Sequence, residues 1–433
     1  ALKGERFDGN KFVDKALEKG ASCAVCREFQ MPLEDYPVAL VDDELKALGE
    51  FASWYKRFLA YQVLAITGSC GKTTTKELIY SVVSQAFSAG ATKGNLNNLI
   101  GLPLTMLSMA PGVEWAILEM GTNIPGEIER LCQIARPKIG VLTCVRPVHL
   151  EGLGSLENIG YEKGFLLQSL PEDGCAIVNV DDELVVKNIE RTRARDVWGF
   201  GFGTTALEDV RLDHLVKVVE WQEGEGGLEV ELDADGQVVK VDSRLRGRAN
   251  VANIAAAYAA GMALGISHDL ISLGIEACLP PKGRMNMERL AGWVIIDDSY
   301  NANPASMEAA LEFFKGFTPA LGKNLILGDM LELGQEAERY HLELGKKAAS
   351  SGASVMVVVG SMAEVISRGA QEAGFPAGRI WKFASAQEAA EFLRQEDGIF
   401  FNGTRRVVLL KGSRGVRLEE VAEAVKDRLR EGL

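Results

Sequence analysis

The stretch Ala65-Ile66-Thr67-Gly68-Ser69-Cys70-Gly71-Lys72-Thr73-Thr74 constrains this chain more than any other, because an apolar strand runs into a glycine turn and then into a helix. Glycines let successive backbone N–H groups converge on one point, and the helix N-terminus behind them adds partial positive charge. The ligand that suits such a turn is a polyphosphate. Lys72 then reaches the terminal phosphates, the Thr73 hydroxyl can ligate magnesium, and Gly68, Ser69, Cys70, Gly71 and Thr74 complete the cradle. The full pattern wants glycine where Ile66 stands, so this is the shortened form Gly-x-x-Gly-Lys-Thr-Thr. A strand over 62–67 and an amphipathic run over 72–86 supply the context that favours nucleotide binding over an ordinary glycine-rich βα turn.

A chain of 433 residues exceeds what one core usually fills, which predicts two or three domains. No apolar run reaches the roughly 18 residues needed to span a bilayer, and no signal peptide is visible. The net charge of −13 disfavours nucleic acid as a partner, so anionic ligands must be held by local groups. Seven scattered cysteines read as reduced thiols of a cytoplasmic protein rather than a disulfide framework. Cys23 and Cys26 form a Cys-x-x-Cys with no second pair to complete a zinc site. The chain opens on Ala1 without a methionine, and an upstream segment is expected.

Hydrophobic periodicity predicts a small α/β module over residues 1–60, with a helix over 11–19, short strands near 21–27 and 38–41, and a helix over 42–58. Strand and helix then alternate, with buried strands at 115–119, 139–143 and 175–179 and helices at 127–135 and 155–170, which predicts a mostly parallel sheet covered on both faces. Alternating, glycine-punctuated segments between 197 and 241 suggest an antiparallel extension, followed by an Ala-rich helix over 250–264. Leu279-Pro280-Pro281-Lys282-Gly283-Arg284 is the best linker. Beyond it, strands at 294–296, 324–327, 355–359 and 407–410 alternate with helices in a second doubly wound unit. The fold class is therefore α/β in three domains: 1–60, a central P-loop-type domain over 61–283, and a Rossmann-like domain over 284–433.

Ligands gather at the carboxyl ends of parallel strands, so the polar groups there decide the chemistry. Glu119 ends the strand 115–119, where a magnesium ligand is expected beside a cradle; a local hydrogen bond is the alternative. His149 follows the strand ending at Thr143, and spacing alone leaves it between metal ligand and loop residue. Lys163, in the next helix, reads on sequence physics as an exposed lysine. Asn95, Asn97 and Asn98 are turn residues by composition and also suited to grip a sugar or peptide. Asp297 to Pro304, including Asp298, Asn301 and Asn303, lies between a buried strand and a helix. Lys411, Ser413 and Arg414 offer cations and donors for a carboxylate at the last strand end.

Taken together, these segments resemble the Mur ligase family over essentially the whole chain. The resemblance is carried by Leu2 to Gly9, by Gly94 to Asn98 with Ile100 to Leu104, by the highly specific Asp297-Asp298-Ser299-Tyr300-Asn301-Ala302-Asn303-Pro304-Ala305-Ser306-Met307, by Gly328 to Gly334, and by Lys411 to Arg414. It implies three domains that close over ATP and Mg2+, and a reaction in which ATP phosphorylates the carboxylate of UDP-N-acetylmuramoyl-tripeptide and the amine of D-Ala-D-Ala captures the acyl phosphate. By the same resemblance Glu119 and His149 ligate magnesium and Lys163 carries a carbamate that holds a second ion. Asn250 and Asn253 lie near the adenine, with Arg284 and Asp298 at the phosphates and ribose. Lys3, Gly4, Arg6 and Asp8 belong to the uridine-nucleotide domain, and Asn95, Asn97, Asn98, Asn301, Asn303, Lys411, Ser413 and Arg414 to the substrate site. A cytoplasmic monomer acting in peptidoglycan precursor synthesis is implied. The chain departs from the family at Asn10, Arg146, Cys144, Ala249 and Phe165, where His, Gly, Asn, His and Glu are usual.

Rival readings are a sister ligase, folylpolyglutamate synthase, a P-loop phosphotransferase and a nucleotide-binding module without catalysis. Against the sister ligase that adds a diamino acid stands the lack of an Asp-Asn-Pro-Arg-like stretch.

Overall fold

The computed structural model describes residues 1–4, 7–203, 210–317, 322–396, 398–403 and 405–431. The first body holds α1 (Val13–Glu18), β1 (Ala24–Cys26), β2 (Val38–Leu40) and α2 (Glu44–Leu59), with β1 and β2 paired in parallel. The helix expected over 11–19 begins instead as a 3-10 turn, Gly9–Phe12, because the Asp8 carboxylate accepts from Asn10 N at 3.1 Å and caps it. Asp43 caps α2 by accepting from Lys46 N, and Ala60 ends the helix in the left-handed conformation. Its inner face turns toward the next body: Ala52 is fully buried within the same core as Val63, Leu102 and Ile128.

The central body follows as β3 (Gln62–Thr67), α3 (Lys72–Val83), β4 (Ala89–Ala91), α4 (Gly101–Leu107), β5 (Trp115–Glu119), α5 (Glu127–Ala135), β6 (Ile139–Leu142), α6 (Leu150–Leu153), α7 (Leu156–Gln168), β7 (Cys175–Asn179), α8 (Glu183–Val186), β8 (Asp196–Gly201), β9 (His214–Glu223), β10 (Leu228–Ala234), β11 (Gln237–Ser243), α9 (Arg248–Ala263) and α10 (His268–Ala277). Its nine-stranded sheet has the order β11-β10-β9-β8-β7-β6-β3-β5-β4. The strands from β4 to β9 pair in parallel, and only β9-β10-β11 run antiparallel, the extension the sequence suggested. β3 lies third from the β4 edge, with Val63, Leu64, Ala65 and Ile66 wholly buried, as a strand covered on both faces requires. One cover is α9, apolar all round, whose alanines let it lie close to α3 and the sheet. Gly274 of α10 approaches α3 so closely that a Cβ there would lie 2.5 Å from Val82 Cα.

After the linker come β12 (Asn286–Leu290), β13 (Trp293–Asp298), α11 (Pro304–Gly316), β14 (Gly322–Gly328), α12 (Ala337–Ala349), β15 (Val355–Val359), α13 (Ala363–Glu372), β16 (Ile380–Phe383), α14 (Ala386–Gln395), β17 (Arg406–Lys411) and α15 (Glu419–Arg430). The sheet order is β12-β13-β17-β14-β15-β16, parallel except for β12. Before the linker, periodicity did not single out β4, α4, α6, α8 and α10, and beyond it β12 and β16 went unmarked. Asn303 caps α11 with a reciprocal bond to Ser306 and Pro304 at the first turn, so the Asn-Pro pair is also a helix start. The strand ends of the central and third bodies face one cleft.

Candidate functional site

Between β3 and α3 the turn closes as its glycines allow, with Gly68 at φ +151° and Gly71 at φ +81°. Lys72 Nζ folds back onto Gly68 O at 2.7 Å, and Ser69 exchanges two hydrogen bonds with the backbone of Arg146. Cys70 N donates to Cys144 Sγ at 3.3 Å, and Asn303 Nδ2 of the third body donates to Cys70 Sγ at 3.2 Å. The hydrogen bond from Cys144 holds the Cys70 thiol below the ordinary thiol range and raises its partner. Cys144, where the family usually has Asn, thus still serves the turn as an acceptor.

A cleft of about 1930 Å³ surrounds this turn. Of the expected residues it is lined by Ser69, Cys70, Gly71, Lys72, Thr73, Thr74, Asn95, Asn97, Asn98, Glu119, His149, Asn250, Asn253, Arg284, Asp298, Asn301, Asn303, Lys411, Ser413 and Arg414. Gly68 and Lys163 lie behind its wall. Lys3, Gly4 and Asp8 are elsewhere, in the first body, where Lys3 and Asp8 form a backbone bridge and an ion pair at 3.8 Å. Arg6 lies outside the described residues.

Glu119 is 3% exposed; its Oε1 accepts from Asn97 Nδ2 at 2.8 Å, while its Oε2 is buried without a hydrogen-bond partner among the described residues. An orphaned carboxylate oxygen facing a phosphate cradle suits a hard cation. Among the described residues no group of three His, Cys, Asp or Glu forms a protein-only metal cage. That also fits magnesium, which is usually held by one or two carboxylates together with substrate phosphates.

Lys163 is not the exposed lysine that its helix pattern suggested; it is 1% exposed. The neighbouring Glu162 caps the N-terminus of α5, accepting from Gly126 N and Ile128 N at 2.8 Å each. Arg191 holds the outer face of α7 by donating to Tyr161 O and covering the rings of Tyr161 and Phe165 at 4.2 and 4.9 Å. Phe165, in place of the usual carboxylate, belongs to that clamp. Held between, the Lys163 amine has no hydrogen-bond or ion-pair partner among the described residues. Burial, with the Lys72 charge next in effect, pulls it down to about 7.

This shift predicts a pH dependence of stability. Between about pH 7 and the ordinary lysine range, the unfolded chain binds a proton that the folded chain has released, so stability rises with pH through that window. Chemical denaturation of the ligand-free protein should show that rise. Lys163→Met should flatten it, and an unchanged slope in the variant would remove Lys163 as its source.

From the third body, Arg284 Nη2 donates to Thr73 Oγ1 at 2.9 Å, and its guanidinium lies 4.3 Å from the centre of the Tyr300 ring. Lys411, 2% exposed, pairs with Asp298 at 2.6 Å, and Asp298 also accepts from Met285 N in the linker. Ser413 Oγ accepts from Leu331 N, whereas Arg414 stays exposed toward the cleft. Asn253 accepts from Thr75 Oγ1 and donates to Asn250, and a Cβ on Gly71 would come within 2.5 Å of its amide oxygen. It therefore supports the cradle from behind. Asn98 Oδ1 accepts from Gly101 N and caps α4.

His149, at φ +51°, bonds through Nδ1 to Glu332 Oε2 of the third body, and that hydrogen bond holds the Glu332 carboxyl below its usual range. Glu332 lies in a motif noted in the sequence, yet no role had been read for it. Its signal was position, on the loop leaving the carboxyl end of β14.

A phosphate cradle in a parallel sheet, faced by a second doubly wound sheet with Arg284 reaching Thr73 of the cradle, defines an α/β enzyme of the P-loop nucleotide-binding type. The Mur ligase middle domain matches residues 66–261 and the Mur ligase glutamate ligase domain matches residues 283–414. The chain belongs to the Mur ligase family. It is similar to the UDP-N-acetylmuramoyl-tripeptide--D-alanyl-D-alanine ligase of Bacillus subtilis, 33% identical over 98% of this chain and 88% of that one. The enzyme of the same name from Escherichia coli is 34% identical over 99% and 90%. Among solved structures, MurF from Acinetobacter baumannii superposes with a TM-score of 0.87 at 29% identity, covering 99% of this chain and 90% of that one. A MurF ligase from Thermotoga maritima in complex with ADP gives 0.85 at 29%, covering 100% and 95%.

Proposed function

We propose that this chain is an ATP-dependent amide ligase that joins D-Ala-D-Ala to UDP-N-acetylmuramoyl-tripeptide in peptidoglycan precursor synthesis. The relatives named above, similar over nearly the whole chain, support that reading. The observation that carries it is one cleft holding a phosphate cradle, an orphaned carboxylate at Glu119 and the third-body cation Arg284. The tripeptide carboxylate attacks the γ-phosphorus of ATP; the bond to the β,γ-bridging oxygen breaks and ADP leaves. The dipeptide amine then adds to the acyl carbon, loses a proton, and expels phosphate as the amide forms.

A carboxylate acylates an amine only once its oxygen carries a good leaving group, and two anions must first be brought together. Lys72, freed from Gly68 O, and Arg284 offset that repulsion at the phosphates. Thr73, Glu119 and His149 would hold magnesium, which would supply Lewis-acid charge neutralisation when bound. The Lys163 amine, partly neutral near pH 7, can add through nitrogen to the carbon of CO2 and release one proton to solvent, giving a carbamate, an anion with oxygen donors for a second ion. Arg414 is the exposed cation for a substrate carboxylate, and Asn95, Asn97 and Asn301 offer amides on the same cleft. Lys3, Gly4, Arg6 and Asp8 serve the uridine end. Domain limits at 60 and 283 accompany this reading, with α2 packed on the central body. A monomer and a cytoplasmic location complete the reading, the latter suited by the seven free cysteines.

Phosphate release tests the proposal. It should require ATP, magnesium, the UDP-linked tripeptide and D-Ala-D-Ala together. Release without the dipeptide, or stable phosphate transfer onto an acceptor, would overturn it.

A further inference from the structure

Glu332 meets His149 across the cleft with both residues in the left-handed region, at φ +64° and +51°. Neither is glycine, and such backbone persists only where its surroundings hold it. The Glu332 loop is held firmly. Asp329, 4% exposed, accepts from Ser361 N at 2.7 Å, Ser361 Oγ at 2.8 Å and Met362 N at 3.1 Å. Met330 N donates to the buried His341 Nε2 at 2.8 Å, and Leu331 N donates to Ser413 Oγ at 3.0 Å. Gly334 then approaches α6, where a Cβ would lie 3.6 Å from Glu151 Cα. A loop fixed at both sides thus presents one carboxylate to one imidazole of another body.

We infer that Glu332 is a positioning residue: it accepts the Nδ1 proton of His149, leaves the Nε2 lone pair free for a metal ion, and so makes docking of the third body a condition of a complete metal site. The physical warrant is that an imidazole has two tautomers, and a carboxylate at one nitrogen selects the form whose other nitrogen can ligate. The inference rests on the proposed role of His149 as a magnesium ligand. It adds that the ligand is made competent by a residue from a different domain.

Mn2+ is the probe, titrated by electron paramagnetic resonance into full-length protein with ADP present. Glu332→Ala should weaken Mn2+ binding by about tenfold or more, while Glu332→Gln, which keeps an oxygen acceptor, should stay near wild type. In a His149→Ala background, Glu332→Ala should have no further effect. ADP affinity without metal should be equal in all variants. Unchanged Mn2+ affinity in Glu332→Ala, or equal damage in Glu332→Gln, would overturn the inference. The ligase reading is judged separately, by wild-type phosphate release: if wild type ligates and Glu332→Ala binds Mn2+ normally, only the positioning role falls.

Discussion

Replacing Lys163 with Ala is expected to lower ligation on the order of a hundredfold to a thousandfold, the usual effect of removing a group that organises charge at a transferring phosphoryl group. The loss should appear in kcat, because Lys163 is not among the residues that line the cleft and its removal leaves the phosphate cradle intact. Two effects on folding oppose each other. Truncating a wholly buried side chain leaves a cavity, worth about 2 to 5 kcal/mol, while removing an amine with no partner relieves desolvation of comparable size. The variant should therefore fold, with a melting temperature close to wild type. Formate or acetate should restore part of the activity by supplying the oxygen donors that a carbamate would have carried. Full activity in Lys163→Ala would return the residue to a structural role, and rescue by neutral amines in place of carboxylates would contradict the carbamate.

Gly68→Ala is expected to be nearly as damaging by a different route. A Cβ at Gly68 would lie 1.9 Å from Thr143 Oγ1 and 3.1 Å from Cys144 N, at a φ of +151° that side chains rarely adopt. The same hydroxyl donates to Cys70 O at 2.6 Å, so the methyl collides with the group that holds the turn closed. A loss of about 3 kcal/mol or more in urea denaturation is expected, with ADP affinity reduced at least about a hundredfold. Gly112, at φ +89° with nothing within 4 Å of a Cβ, is the comparison: its alanine variant should cost about 1 kcal/mol and leave ADP binding alone. Equal behaviour of the two variants would mean that steric contact at Thr143 is not what closes the cradle.

The cradle, the strand end at Glu119 and the inner strands of both doubly wound sheets were legible because each depends on a local pattern: an apolar run, a glycine turn, a carboxylate at a strand end. Lys163 was not. In α7, Ile159, Gly160, Glu162, Lys163, Gly164, Leu166 and Leu167 are all buried, so two charged residues lie where an amphipathic reading places solvent. Glu162 is met there by the N-terminus of α5, and Lys163 by Lys72 and Cys70 of the cradle with Cys144, all distant in sequence. The same holds for Lys411 and Asp298, which read as a cation and an anion free for ligands yet are paired with each other. Resemblance to the family pointed to Lys163 where periodicity could not, and the fold supplies the reason that it is unusual. β12 and β16 escaped notice because short edge strands carry too few residues for a period-two signal.

The position of β3 within its sheet also bears on how the protein is made. Its two neighbours, β5 and β6, both follow it in the chain. As synthesis proceeds, the apolar backbone of residues 62–67 must wait for residues 115–119 on one side and 139–142 on the other before it is covered, a non-local pairing that is intrinsically slow and prone to aggregation while incomplete. Arg284 and Asn303, which reach the turn from beyond the linker, emerge later still. The cleft is thus finished only after residue 303 has emerged, and a ribosome halted before it holds a protein whose third-body wall has not yet been built.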